Sequence, residues 1–229
     1  MSISVEPRAA AGARVRGLGF LFTAASCWGL TYPVQKFLLS ELPPFSARAL
    51  CAAVGLILGF GLALIRREPL AVPRREIGRL CGAAMLNLGL FSVLLIAALI
   101  WLKASEAVIC TYTMPIWSSL LAWAIYGERL SPGRALALAA GFGGIVVLVS
   151  AEPPTASWDK LPGYACGLSA AWLFALGTLL SKHHPPRLAP VAGVAWQIAV
   201  GSIPALLLAA TERPDWAGVT PLGWAALAY

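Results

Sequence analysis

The chain is poor in charge. Of its 229 residues only 12% are Asp, Glu, Lys or Arg, about half of the ~25% carried by an average soluble domain. That is too little to coat a water-facing surface, and it excludes a soluble globular domain, a disordered chain and a DNA-binding protein as good readings. Acidic residues are the scarcest, ten against seventeen basic ones. None lies at the middle of an apolar run, so a proton pump built on a central carboxylate is not supported. Histidine occurs only as the adjacent pair His183-His184, which precedes Pro185-Pro186 and suits a loop. There is no H-E-x-x-H and no G-x-S-x-G, and Ser181-Lys182 does not meet the S-x-x-K spacing. The chain is read as a non-enzyme with no cofactor and no metal. Five cysteines, Cys27, Cys51, Cys81, Cys110 and Cys166, fall singly in separate apolar runs. They read as reduced small hydrophobes, not disulfides or ligands.

What is abundant is hydrocarbon. Hydrophobic residues make up 59% of the chain, and the mean hydropathy is +0.77. The apolar runs are continuous and about 20 residues long, the length a helix needs to cross a bilayer. A barrel would instead alternate polar and apolar positions over about ten residues. The expectation is an all-α polytopic membrane protein. Eight apolar segments are read: Gly17–Leu38, Phe45–Ile65, Gly78–Leu102, Glu106–Tyr126, Pro132–Ser150, Leu161–Ser181, Pro190–Ala210, and a run from Pro221 to Tyr229. The last is about half a span, so the chain is expected to continue past Tyr229. The stretch 1–16 reads as a basic N-terminal tail.

With that tail in the cytoplasm, twelve of the seventeen Lys and Arg residues fall on cytoplasmic segments and five opposite. The net charge of +7 is thus a topology signal, an inside N-terminus, and not a nucleic-acid footprint. Lys36, Arg48 and Glu106 are expected near the outer interface, where snorkelling is cheap.

A weak internal repeat is present. Ala24–Gly29 can be laid beside Ser169–Trp172, placing Trp28 over Trp172. The two tryptophans lie on the first and sixth spans. An odd number of spans per unit sends the second unit in from the opposite side, which gives two inverted five-helix repeats, a transporter architecture. Pro115, near the centre of the fourth span, removes a backbone hydrogen bond and kinks it. Gly127 suits a helix C-cap, Ser131 an N-cap and Pro132 a first helical turn. Glu128 is expected to pair with Arg129, Arg134 or a neighbouring loop. Gly141, Gly143 and Gly144 are expected to let helices approach closely. The midplane polar groups are neutral and mixed with aromatics, a set that suits an amphipathic ligand. Packing between helices is the competing reading for each of them.

Thr113-Met114-Pro115-Ile116-Trp117, then Gly127-Glu128-Arg129-Leu130-Ser131, then Gly141-Phe142-Gly143-Gly144 resemble the end of an EamA-type repeat of the drug/metabolite transporter superfamily. Trp28-Gly29, Pro33 and Arg48 extend the resemblance. It implies a ten-helix secondary transporter of a plasma (bacterial inner) membrane, here with 17–150 as the first repeat and 151–229 as the start of the second. The expected activity is transport, as an exporter, of small amphipathic metabolites or drugs by alternating access. A non-transporting membrane scaffold is the alternative. The candidate substrate contacts are Trp28, Tyr32, Asn87, Tyr112, Trp172 and Gln197, with Pro115 and Pro204 as hinges. The expected partners are a small-molecule substrate and membrane lipids.

Overall fold

A computed structural model of the chain describes residues 7–128, 131–151 and 158–228. Each of the eight apolar segments is helical. They form α1 (Pro7–Glu41), α2 (Pro44–Ile65), α3 (Arg74–Trp101), α4 (Ala104–Tyr126), α5 (Pro132–Ala151), α6 (Leu161–His183), α7 (Pro190–Ala209) and α8 (Pro221–Ala228). There is no strand among the described residues. Helices α2, α3, α4 and α7, together with α6 and its leading turn Trp158–Lys160, are long and apolar enough to cross a membrane. The chain is an all-helical polytopic membrane protein.

Local chemistry sets the helix ends. Pro44, Pro132, Pro190 and Pro221 each open a helix, where the missing N–H costs nothing. Gly127 closes α4 at φ 66°, the left-handed cap that a residue without a Cβ adopts cheaply. Helix α1 begins at Pro7, so the described part of the N-terminal tail continues the first helix. Its Ala-rich sequence favours that. Helix α6 runs through Ser181 and Lys182 to His183, two residues past the expected end of the segment.

Three helices are interrupted. Helix α4 turns at Tyr112 and Thr113 and restarts at Met114 with Pro115 in its first turn. The Thr113 hydroxyl donates to the Cys110 carbonyl at 2.6 Å, recovering an acceptor at the break. Helix α7 breaks before Pro204, and the Ser202 hydroxyl donates to Ala199 O at 3.0 Å. Helix α3 widens into a π-helical turn over Met85–Leu90, a distortion often found beside functional sites.

Helix α6 is the centre of the bundle. It packs along α3 and both halves of α4, while α7 packs against α2 and the first half of α3. Tyr32, Phe91, Leu95, Leu99 and Leu102 form the main buried cluster. The close approaches use glycines of α6 and α7. A Cβ on Gly177 would meet Asn87 Oδ1 and lie 2.7 Å from Leu86 Cβ, and one on Gly201 would lie 2.6 Å from Leu88 Cβ. Small residues allow such contact where lipid supplies no hydrophobic drive. Gly141, Gly143 and Gly144 do not serve this purpose. A Cβ on any of them would meet nothing within 4 Å, because α5 stands off from the other described helices.

Polar contacts sort into two ends of the bundle. At one end, Lys160 pairs with Glu106 at 2.8 Å, Glu41 accepts from Thr220 N, and Glu212 accepts from Phe45 N. At the other, Lys182 pairs with Glu128 at 2.9 Å, Glu76 accepts from Arg187 N, and Glu68 accepts from Val191 N. Glu106 is therefore buried in an ion pair and does not snorkel. Lys36 donates to the carbonyls of Leu99 and Leu102 at the end of α3, where the helix dipole favours a cation.

Candidate functional site: a cavity between α4, α5 and α6

The stand-off of α5 leaves a cavity of about 620 Å³, within the range of small-molecule sites. The break in α4 supplies Tyr112, and its second half supplies Pro115, Ser118 and Ser119. Helix α5 supplies Leu138 and Gly141, and α6 supplies Thr178 and Lys182. Gly141 thus widens the cavity instead of tightening a helix contact. The wall is mainly apolar with hydroxyls along it, and its charge is confined to the end at Glu128 and Lys182.

That charged end is tied together. Lys182 Nζ donates to both Glu128 oxygens, at 2.9 and 3.2 Å, and His183 Nε2 lies 3.2 Å from Glu128 Oε1. The His183 ring stacks on Tyr126, with centroids 3.6 Å apart and planes 12° from parallel. The hydrogen bond from Lys182, helped by the charges of Lys182 and His183, holds the Glu128 carboxyl below the usual carboxylate range against the opposing effect of burial. Residues of α6 are therefore the partners of Glu128. Arg129 and the side chain of Arg134 lie outside the described residues.

Of the six expected contacts only Tyr112 lines this cavity, together with Pro115, one of the two expected hinges. Tyr32 is buried, its hydroxyl 2.7 Å from Thr111 Oγ1. The Thr111 hydroxyl lies 3.0 Å from Ala107 O and 2.9 Å from Val108 O. It has one proton to give, so Tyr32 donates to Thr111. Trp28 is part-exposed and meets Phe174 edge-on at 5.6 Å; Phe174 in turn packs on Phe91. Asn87, in the π-helical turn, reaches Ser181 Oγ at 3.4 Å and Thr178 Oγ1 at 3.5 Å. It joins α3 to the back of the helix whose Thr178 lines the cavity. Trp172 is part-exposed and Gln197 half-buried, and neither lines the cavity.

The sequence reading counts Thr178 among the neutral midplane groups but not among the substrate contacts, and it misses Lys182 as a cavity residue. The available signal was spacing: Thr178 and Lys182 are i, i+4 and share a face of α6. None of the five cysteines is in a disulfide, and Cys110 is buried. No cluster of three or more metal-binding side chains occurs among the described residues.

Known proteins resemble this chain over most of its length. The transporter YoaV of Bacillus subtilis strain 168 is 20% identical over 194 residues, 82% of this chain and 66% of YoaV. The aromatic amino acid exporter YddG of Ancylobacter novellus is 29% identical over 170 residues, 70% of this chain and 56% of YddG. The chain thus spans less than two thirds of the length of these relatives. A solved crystal structure superposes with a TM-score of 0.67 over 90% of this chain and 71% of its own, at 23% identity, which shows a shared fold. The model of the EamA-like transporter family matches residues 15–150. That stretch holds α1 to α5 nearly complete, including the interrupted α4 and the glycine-rich α5 at the cavity, and on this match the chain belongs to the EamA-like transporter family.

Proposed function

We propose that this chain belongs to a secondary transporter that exports small amphipathic molecules by alternating access. The observation that carries the reading is the cavity of about 620 Å³ beside the break in α4. A scaffold has no use for such a void, whereas a transporter needs one next to a segment that can bend. Pro115 and Pro204 are the proposed hinges, since each follows a break where few intrahelical bonds resist bending. The apolar wall with scattered hydroxyls fits an amphipathic substrate. The name of YddG, an aromatic amino acid exporter, supports both export and that substrate class.

The proposed architecture is two inverted five-helix repeats, 17–150 and one beginning at 151, with the substrate between them. Support comes from the basic excess at the end formed by the α2–α3 and α6–α7 loops, which favours an N-terminus on the cytoplasmic face of the inner membrane. Tyr112 contacts the substrate in this state. Tyr32 and Asn87 are engaged with other helices, so they contact substrate only after giving up those bonds. Trp28, Trp172 and Gln197 serve at other stages of the path.

The test is transport by protein reconstituted in liposomes, with labelled tryptophan as the probe. Tyr112→Ala and Pro115→Ala are expected to slow exchange at least about tenfold, a barrier change of about 1.4 kcal/mol. Unchanged exchange in both variants removes the cavity from the path.

A further inference from the structure

A second, smaller cavity of about 230 Å³ lies away from the first, between α1, α2 and α8. Arg48, Gln35 and Thr31 are the polar side chains that line it, and the Thr31 hydroxyl already donates to Cys27 O at 3.1 Å. Arg48 enters from the second turn of α2 and Gln35 from the last third of α1. No described residue hydrogen-bonds to or ion-pairs with the Arg48 side chain, and the Cys51 thiol lines the same cavity. The Gln35 Oε1 atom is buried and has no hydrogen-bond partner. Apart from the Cys51 thiol, the rest of the lining is apolar, including Val34, Leu58 and Leu227.

The Arg48 and Gln35 groups are both costly as they stand. A guanidinium is always charged and presents a planar fork of N–H donors. Inside a bilayer such a group is paired, faces a wet cavity or reaches the interface. Lys103 and Arg213 at this end of the bundle are exposed, and other charges there are satisfied within the protein. Lys36 has the carbonyls of Leu99 and Leu102. Glu106 has Lys160. Glu212 and Glu41, the carboxylates of the adjoining loops, are taken up by backbone N–H groups of Ser46 and Thr220. Arg48 is thus left facing the cavity without a counter-charge, beside an unpaired acceptor.

We propose that this cavity is a binding site for a small organic acid that carries a donor group next to its carboxylate, an α-hydroxy or α-amino acid. The carboxylate lies on the Arg48 fork as a bidentate pair. The adjacent O–H or N–H donates to Gln35 Oε1. The aliphatic remainder packs against Val34, Leu58 and Leu227. The site is separate from the α4–α5–α6 cavity, and its occupation does not depend on the transport reading.

The experiment is calorimetric titration of the purified protein in phosphatidylcholine nanodiscs with 2-hydroxy-4-methylpentanoate. The controls are its primary amide and 4-methylpentanoate. Saturable binding of the hydroxy acid is expected, with the amide and the Arg48→Gln variant each weaker by about tenfold or more. Gln35→Leu is expected to erase a preference of about fivefold for the hydroxy acid over 4-methylpentanoate. Where Arg48→Gln fails to fold, Arg48→Lys, which keeps the charge but not the fork, replaces it with an expected intermediate affinity. Equal binding of acid and amide overturns the proposal, as does wild-type affinity in both Arg48 variants. Loss of binding in phosphatidylglycerol nanodiscs overturns it too, because the anion held by Arg48 is then a lipid phosphate.

Discussion

Glu68 and Glu212 cap each other's helices. Glu68, just past the end of α2, accepts from the backbone N–H groups of Val191 and Ala192 at the start of α7, at 2.9 and 2.8 Å. Glu212, just past the end of α7, accepts from those of Phe45 and Ser46 at the start of α2, at 3.1 and 2.7 Å. The same interval of sequence separates Glu68 from Glu212 as separates Trp28 from Trp172. A carboxylate on a helix N-terminus meets both free N–H groups and the positive end of the dipole. The exchange supports the proposed inverted repeat, because a two-fold axis in the membrane plane carries each cap onto the other.

Glu68→Ala and Glu212→Ala are therefore expected to destabilise the protein by similar amounts, about 1–3 kcal/mol each. Unfolding in detergent micelles measures this. A cost at one glutamate only would show that the exchange has no energetic symmetry.

The contact between α3 and α6 depends on the missing side chain at Gly177. Gly177→Ala pushes a methyl group against Asn87 and Leu86 and is expected to cost about 1–3 kcal/mol by overpacking. Gly141→Ala, whose Cβ meets nothing, is expected to be neutral or slightly stabilising, as Ala is the better helix former by up to about 1 kcal/mol. Thermal melts of the two variants separate these outcomes. An equal cost for both contradicts the placement of α5.

The tie at the cavity mouth is sensitive to acid. The carboxyl of Glu128 titrates below its ordinary value in the folded state. Its unfolded form binds the proton first, so its contribution to stability is present above the ordinary carboxylate pKa. The contribution is lost as pH falls through the depressed folded value. Glu128→Gln is expected to flatten the acid side of a stability-against-pH curve and leave the neutral region with a small, constant loss. An unchanged acid limb contradicts the Lys182–Glu128 tie.

Removing the phenol oxygen of Tyr32 leaves Thr111 with its carbonyl acceptors. Tyr32→Phe is expected to cost about 0.5–1.5 kcal/mol, the net value of one hydrogen bond. Thr111→Val strands the buried phenol instead and is expected to cost more, about 1–3 kcal/mol. Paired unfolding measurements check the order; the reverse order contradicts Tyr32 as donor.

Much of this fold was legible because membrane helices announce themselves by run length. The eight apolar segments, the cap at Gly127 and the opening prolines follow from rules that concern a few neighbouring residues. The site was less legible. Composition picked out Asn87 and Tyr32 as polar groups at depth, but whether such a group faces a cavity or a neighbouring helix depends on tertiary contacts. Asn87 is met by Ser181 and Thr178, and Tyr32 by Thr111, all distant in sequence. The glycines of α5 read as packing residues by analogy with small-residue stripes, yet the close approaches use Gly177 and Gly201. Periodicity within one helix carries no information on which partner approaches it.

The most direct test of the cavity is aqueous access to Ser118 on its α4 wall. In a background with the five native cysteines replaced, Ser118→Cys is reacted with a membrane-impermeant thiol reagent in oriented vesicles. Leu99→Cys serves as the buried reference, since Leu99 is 0% exposed. Modification of the Ser118→Cys variant from the Glu128 side, slowed by added substrate, is the predicted result. A thiol at 118 as inert as the one at 99 from both sides of the membrane would contradict the account.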